Sequence, residues 1–211
     1  MAQAVERTSG IWQLLSIPRI YGFLQQTLAR RDTRREIAER YIRARPGDTV
    51  LDVGCGPGAI LPYLPPVTYV GIDSSARYIA SASSRYGQRG RFVQMDASAI
   101  TARSFGTFDL VLVLGLLHHL DDRAAQALLR TLRTVLREKG RVVTVDGAFT
   151  SDQGLIERLL LHADRGRHVR DIDRYRSLAM EVFPTVVVHV RHDLLRLPYT
   201  HLIMECANHE S

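Results

Sequence analysis

The chain has 211 residues, of which 45% are hydrophobic and 24% charged, and its formal net charge is +6. These values favour one globular domain that is large enough to bury a core over a disordered or two-domain chain. Two cysteines, Cys55 and Cys206, are too few for a disulfide framework or a cysteine-rich zinc site. The N-terminal stretch MAQAVERTSG lacks the apolar run of a signal peptide, and no apolar run is long enough to cross a bilayer. We therefore expect a cytoplasmic protein without stable membrane insertion.

The positive charge is almost entirely arginine, because Lys139 is the only lysine. The excess lies in the first 45 residues, which hold nine arginines against four acidic residues. A nucleic-acid surface more often shows a dense basic run with aromatic residues between the charges. The longest cluster here, residues 30–35, is interrupted and contains no aromatic residue. The charge pattern thus disfavours nucleic acid as a partner.

Two helices are predicted before the first strand, over Ile11–Ala29 and Thr33–Ala44, with the second ending before Pro46. We interpret residues 1–45 as a helical cap or lid on a core domain of residues 46–211. The first helix carries an apolar set in which Tyr21 is a candidate to close over a bound acceptor. A plain packing face is the alternative, and a membrane-surface helix is disfavoured because the basic residues collect at one end.

Short runs rich in Val, Ile and Leu predict strands that are apolar on both faces, as in a parallel sheet covered by helices. They cover Thr49–Val53, Thr68–Ile72, Phe92–Met95, Asp109–Leu114 and Arg141–Val145. Helices are predicted over Ser75–Tyr86 and Asp121–Glu138, the second stopped by Gly140. Two later runs, Thr185–His192 and Thr200–Ala207, are too close together for a crossover helix and predict an antiparallel hairpin. The expected fold is α/β, with a mainly parallel, seven-stranded mixed sheet.

A glycine-rich loop follows the first predicted strand. Gly54, Gly56 and Gly58 stand at alternate positions, where they let the backbone turn tightly and approach a ligand. An ordinary strand-to-helix turn needs fewer glycines, but the loop alone also fits a dinucleotide fingerprint. Acids end the next two strands. Asp73 is placed to accept hydrogen bonds from the hydroxyls of a ribose, and Asp96 from an exocyclic adenine amine.

These residues, from Thr49 to Val145, resemble the class I S-adenosylmethionine-dependent methyltransferases, especially their small-molecule branch. The resemblance implies a Rossmann-like, doubly wound fold that binds S-adenosylmethionine, forms S-adenosylhomocysteine and methylates a small molecule at O or N. It also implies cofactor contacts along the strand ends. The candidates are Asp52, Gly54, Cys55, Gly56 and Gly58 at the methionine part, Asp73 and Ser74 at the ribose, Asp96 and Ala97 at the adenine, and the backbone oxygens of Leu114 and Gly115 at the ammonium.

Two regions are candidates for acting on the acceptor. His119, or its neighbour His118, follows the fourth strand and is placed to act as a general base where the acceptor must lose a proton. Hydrogen-bonded scaffolding is the alternative, and a metal site is not expected because adjacent histidines point apart. The second region is an insert of about residues 150–182, where Arg167 or Arg170 would grip an anionic acceptor. The alternative there is a solvated helix end with local ion pairs.

Two other functions share the same sequence pattern. A nicotinamide-dependent oxidoreductase uses a similar loop, but Asp52 would repel its pyrophosphate. A protein that binds the cofactor without methylating, such as a cyclase or a regulatory module, is the other alternative.

Overall fold

A computed structural model describes residues 33–163 and 167–209. The first predicted helix and Tyr21 lie outside the described residues. The described strands are β1 (Thr49–Val53), β2 (Thr68–Asp73), β3 (Gly90–Gln94), β4 (Phe108–Leu114), β5 (Leu136–Phe149), β6 (Arg170–Asp171), β7 (Thr185–Arg191) and β8 (His201–Ala207). The described α-helices are α1 (Thr33–Ile37), α2 (Ala76–Tyr86), α3 (Ala102–Phe105), α4 (Asp122–Thr134), α5 (Leu155–Ala163) and α6 (Ile172–Met180).

The sheet order is β3-β2-β1-β4-β5-β8-β7. The neighbours from β3 to β5 are parallel, and β8 lies antiparallel between β5 and β7. This seven-strand path and its C-terminal antiparallel hairpin confirm the predicted α/β class. The two-residue strand β6 is an addition, since it pairs with the end of β5 rather than extending the path. The carboxyl ends of β1 to β4 meet at one edge, where open parallel sheets bind ligands.

The predicted boundary between α4 and β5 was wrong. The helix ends at Thr134 and the strand begins at Leu136, well before Gly140. Val135 and Leu136 continue the helical spacing, but both are buried beside β4, where the Phe108 amide donates to the Val135 carbonyl at 2.8 Å. A Cβ on Gly140 would lie 2.8 Å from the Phe108 carbonyl oxygen. Gly140 therefore permits the close approach of two strands instead of stopping a helix.

The sheet buries apolar side chains on both faces. On one face, α4 and α6 pack through residues such as Leu129, Leu132 and Tyr175. On the other, α1 and the π-helical turn Ala38–Ile42 that continues it pack through Ile37 and Ile42.

The described part of the predicted lid, residues 33–45, is held within this second layer. Thr33 Oγ1 donates to the Leu194 carbonyl, and an Arg191 guanidinium nitrogen lies 2.7 Å from a Glu36 carboxylate oxygen. Residues 33–45 therefore pack against a sheet face. None of the helices in residues 33–163 and 167–209 is both long and apolar enough to cross a membrane.

Candidate functional site

The glycine loop after β1 is tied to the end of β2. Gly54, Gly56 and Gly58 have φ of +72°, +53° and +73°, the left-handed region that side chains with a Cβ rarely adopt. The Gly56 amide donates to Asp73 Oδ2 at 2.9 Å, and the Ser75 amide donates to Asp73 Oδ1 at 2.8 Å. A carboxylate can accept about four hydrogen bonds, so these two leave capacity for a ligand's hydroxyl groups.

Asp52 is buried at the base of this loop. It is 2% exposed, and its Oδ2 accepts a hydrogen bond of 2.5 Å from the Tyr69 hydroxyl. Its Oδ1 has no hydrogen-bond partner among the described residues. Burial raises the pKa of Asp52 to about 7, and the Tyr69 hydrogen bond opposes that rise. Asp52 is therefore placed to support the loop from below.

Cys55 also turns away from the strand ends. A Cβ built on Gly71 would lie 2.9 Å from the Cys55 sulfur, so the thiol packs against the backbone of β2. Burial raises the pKa of the thiol, which keeps it protonated and unreactive. The side chain of Cys55 thus fills space under the loop.

Asp96 stands at the end of β3 and begins the 3₁₀ turn Ala97–Ala99. Its Oδ1 accepts from the Ser98 hydroxyl at 2.6 Å and from the Ser98 amide at 2.8 Å. These hydrogen bonds lower the pKa of Asp96, so the exposed carboxylate is charged at neutral pH. They also hold the carboxylate in one orientation.

A cavity of about 440 Å³ opens along these strand ends. Five of the predicted cofactor contacts line it, namely Gly54, Asp73, Ser74, Asp96 and Ala97. Its other walls come from Ile72, Met95, Ser98, Leu116, Leu120, Ala124, Ala127, Leu128 and Thr131. The α4 members of this wall were missed from the sequence. Their spacing of three or four residues marks one helix face, which is the signal that could have found them.

Leu114 and Gly115 end β4 beside the loop but do not line the cavity. Gly115 is exposed with φ of +78°, and its amide donates to the Val145 carbonyl at 2.7 Å. The turn at the end of β4 is therefore held to β5.

The residues that line this cavity lie in a segment that matches a known protein family. Residues 50–140 match the family described as "Methyltransferase domain", and this segment contains the glycine loop and both acidic strand ends. This match covers less than half of the chain, and it shows that residues 50–140 are similar to methyltransferase domains.

Individual proteins that are similar to this chain have different acceptors in their names. "Phosphoethanolamine N-methyltransferase 1" of Arabidopsis thaliana is 27% identical over 193 residues, which cover 89% of this chain. The chain spans 38% of the length of that relative.

Two solved structures show the same fold. The plantazolicin methyltransferase BamL, in complex with an analogue and S-adenosylhomocysteine, has a TM-score of 0.64 and 17% identity, with 94% of each chain covered. The mitomycin 7-O-methyltransferase MmcR has a TM-score of 0.66 and 17% identity, covering 95% of this chain and 61% of its own.

The residues that line the cavity at the strand ends include hydrogen-bond acceptors and apolar side chains. Two carboxylates, Asp73 and Asp96, face it at separate strand ends, where they can accept from ribose hydroxyls and an adenine amine. Met95, Leu116 and Leu120 add apolar surface, which is typical of ligand pockets.

The two candidate catalytic histidines have different surroundings. They belong to the 3₁₀ turn Leu117–His119 after β4, and their ring centroids lie 4.2 Å apart. His118 is 6% exposed, and its Nδ1 lies 2.8 Å from Oδ1 of Asp146. His119 is exposed. His119 is therefore the exposed histidine of the two, and His118 holds the turn to Asp146.

The two candidate arginines of the insert also differ. Arg167 is exposed, whereas Arg170 is 7% exposed. The Arg170 guanidinium donates to Asp122 at 2.6 Å and to the carbonyls of Leu117 (3.0 Å), His168 (2.9 Å) and Leu120 (2.5 Å). Four of its five N–H groups are thus used within the protein. This corrects the prediction for Arg170, whose guanidinium holds the histidine turn and is not available to grip an acceptor through a bidentate fork.

Proposed function

We propose that the protein transfers a methyl group from S-adenosylmethionine to an oxygen or nitrogen atom of a small molecule. The cavity lined by Gly54, Asp73 and Asp96, inside the matched methyltransferase domain, carries this proposal. When bound, S-adenosylmethionine supplies an electrophilic methyl group on a sulfonium. The residues of the chain then have to hold the donor in line with the acceptor and exclude water.

Asp73 and the glycine loop are proposed to position the donor. Asp73 accepts a hydrogen bond from the Gly56 amide. A ligand hydroxyl that binds to Asp73 is therefore held next to the backbone of the glycine loop. Within the described part of the chain, residues 33–163 and 167–209, no atom of another segment lies within 4 Å of the position that a Cβ on Gly56 would take. That open space lets the loop backbone approach a ligand directly.

His119 is proposed to be the general base where the acceptor is a hydroxyl or an ammonium. A histidine titrates near neutral pH and can remove the proton that such an acceptor must lose. Arg170 and Asp146 hold the turn from two sides, through the carbonyls of Leu117 and Leu120 and through His118. An acceptor that is already an anion at the reacting atom needs no base, and its rate would not depend on His119.

A small-molecule acceptor is consistent with the names of the relatives, which include a phosphoethanolamine and a mitomycin methyltransferase. We propose an acceptor with an anionic group, for which exposed Arg167 is a candidate ligand. The protein is proposed to act in the cytoplasm and not on nucleic acid.

The test is the formation of S-adenosylhomocysteine, measured by mass spectrometry, with a panel of small hydroxyl and amine compounds. The panel pairs each neutral compound with an anionic analogue. We expect acceptor-dependent product, formed faster with the anionic member. Binding of S-adenosylhomocysteine without turnover of any acceptor would support a non-methylating protein. A thermal shift with NAD(P) and none with S-adenosylhomocysteine would support an oxidoreductase.

A further inference from the structure

A second cavity of about 440 Å³ lies beside the turn that carries the two histidines. Its lining includes Arg158 of α5, Arg170 of β6 and Arg174 of α6, together with Asp122 and Asp171. It shares no lining residue with the cofactor cavity. The two cavities are separate, although Arg170 of the second donates to the carbonyl of Leu120, which lines the first.

Both carboxylates of this second cavity are already used by protein groups. Asp122 accepts from Arg170 at 2.6 Å through one oxygen and from Arg174 Nε at 2.8 Å through the other. These two hydrogen bonds lower the pKa of Asp122. Asp171 caps α6 by accepting from the Arg174 amide at 2.7 Å. Neither aspartate forms a hydrogen bond or ion pair with the third arginine, Arg158, among the described residues.

Arg158 carries the unbalanced charge of the second cavity. Within residues 33–163 and 167–209, its guanidinium forms no hydrogen bond or ion pair. The three arginines exceed the two aspartates by one positive charge. The carboxylates of this cavity are already hydrogen-bonded to protein groups, whereas the Arg158 guanidinium is not. The cavity therefore attracts an anion.

Two of the residues that line the second cavity are aromatic. The rings of Phe149 and His162 have centroids 4.9 Å apart, and both residues line the cavity. Arg158 and His162 are one turn apart on α5, so they lie on the same side of that helix. The cavity thus offers a cation and a ring surface side by side.

We infer that this second cavity binds the oxyanion group, phosphate or carboxylate, of a small molecule, with the Arg158 guanidinium as its principal ligand. Arg170 is fixed by its four hydrogen bonds and forms a rigid positive wall. The rings of Phe149 and His162 contact the part of the ligand that carries the oxyanion group. The inference does not depend on methyl transfer, because the site is separate from the cofactor cavity.

The test is a titration of the full chain with inorganic phosphate and, separately, with acetate, at constant ionic strength and followed by calorimetry. Arg158→Ala is expected to weaken binding of the preferred ion by about tenfold or more, since a charge-assisted hydrogen bond contributes about 1.5–3 kcal/mol. Arg130→Ala is the matched control, because it removes an exposed arginine from α4, outside the cavity. It is expected to leave binding unchanged.

Two further measurements separate the outcomes. Arg158→Ala should keep the wild-type affinity for S-adenosylhomocysteine, which shows that the variant is folded and that the cofactor cavity is intact. Arg158→Lys should bind the ion more weakly than wild type, because a lysine has no guanidinium fork. Equal weakening by Arg158→Ala and Arg130→Ala, or no saturable binding of either ion, would overturn the inference. A preference for phosphate over acetate would identify the phosphate form of the ligand.

Discussion

His118 and Asp146 form a buried pair that joins the turn after β4 to strand β5. Oδ1 of Asp146 lies 2.8 Å from His118 Nδ1 and accepts a second hydrogen bond of 3.1 Å from the His118 amide. Both side chains are less than 10% exposed. The neighbouring ring of His119 packs against His118. Asp146 therefore helps to position the exposed ring of His119 by holding His118, against which that ring packs.

Removing the Asp146 carboxylate should destabilise the fold. Asp146→Ala leaves two buried N–H donors of His118 without their acceptor, at a cost of about 1–3 kcal/mol for each unpaired group. We expect the free energy of unfolding to fall by a few kcal/mol in urea denaturation. Asp173→Ala, at an exposed position on α6, is the control. An Asp146→Ala variant as stable as this control would contradict the role of the pair.

The buried carboxylate of Asp52 should make stability depend on pH. Its pKa is raised by burial from an ordinary 3.8 to about 7, so the folded state binds this proton more tightly than the unfolded chain does. The stability that this proton contributes is fully present below pH 3.8 and is lost as the pH rises through 7. The pKa difference corresponds to a loss on the order of 4 kcal/mol.

The substitution Asp52→Asn isolates this effect, because the amide oxygen can still accept from Tyr69 but cannot ionise. We expect the unfolding free energy of the wild type, relative to Asp52→Asn, to decline between pH 4 and pH 7. Tyr69→Phe should extend the decline to higher pH, because the Tyr69 hydrogen bond favours the charged carboxylate and its loss raises the pKa of Asp52 further. Parallel pH profiles of wild type and Asp52→Asn, measured by denaturant titration, would show that Asp52 does not titrate in this range.

Asp73 should control cofactor affinity through two separate bonds. Asp73→Ala removes the acceptor that holds the Gly56 amide and also the acceptor proposed for ribose hydroxyls. We expect the affinity for S-adenosylhomocysteine, measured by calorimetry, to fall by about tenfold to a hundredfold, because hydrogen bonds to charged groups contribute about 1.5–3 kcal/mol each. Asp48→Ala changes a turn carboxylate at the opposite end of β1 and is the control. Equal affinities of the two variants would exclude Asp73 from the site.

The features that the sequence predicted correctly depend on local patterns. Runs apolar on both faces identified the seven-strand path, and acids at strand ends identified Asp73 and Asp96 as residues of one cavity. The end of α4 was missed, because the apolar spacing of Val135 fits a helix as well as a strand start. The burial of Arg170 was missed for another reason. It depends on residues distant in the chain, such as Asp122, 48 residues before Arg170.

The two arginines of the insert should respond differently to substitution. Arg170→Ala leaves the carbonyls of Leu117 and Leu120 without a buried donor, and we expect a loss of about 3 kcal/mol in unfolding free energy. Arg167→Ala removes an exposed side chain and should leave stability unchanged. It is expected to raise the KM for an anionic acceptor without changing cofactor affinity. Unchanged kinetics in Arg167→Ala would remove Arg167 from the acceptor site.

Deleting residues 1–30 tests the proposed lid. The first described helix, α1, begins at Thr33, which is hydrogen-bonded to Leu194. Helix α5 has three exposed apolar side chains, Leu155, Ile156 and Leu159, which are 82%, 68% and 52% exposed. A lid segment that covers apolar side chains near the strand ends would exclude water from the acceptor. We expect the truncated chain to bind S-adenosylhomocysteine with wild-type affinity and to lose acceptor turnover. Retained turnover would make the segment peripheral, whereas loss of cofactor binding as well would place it in the core of the fold.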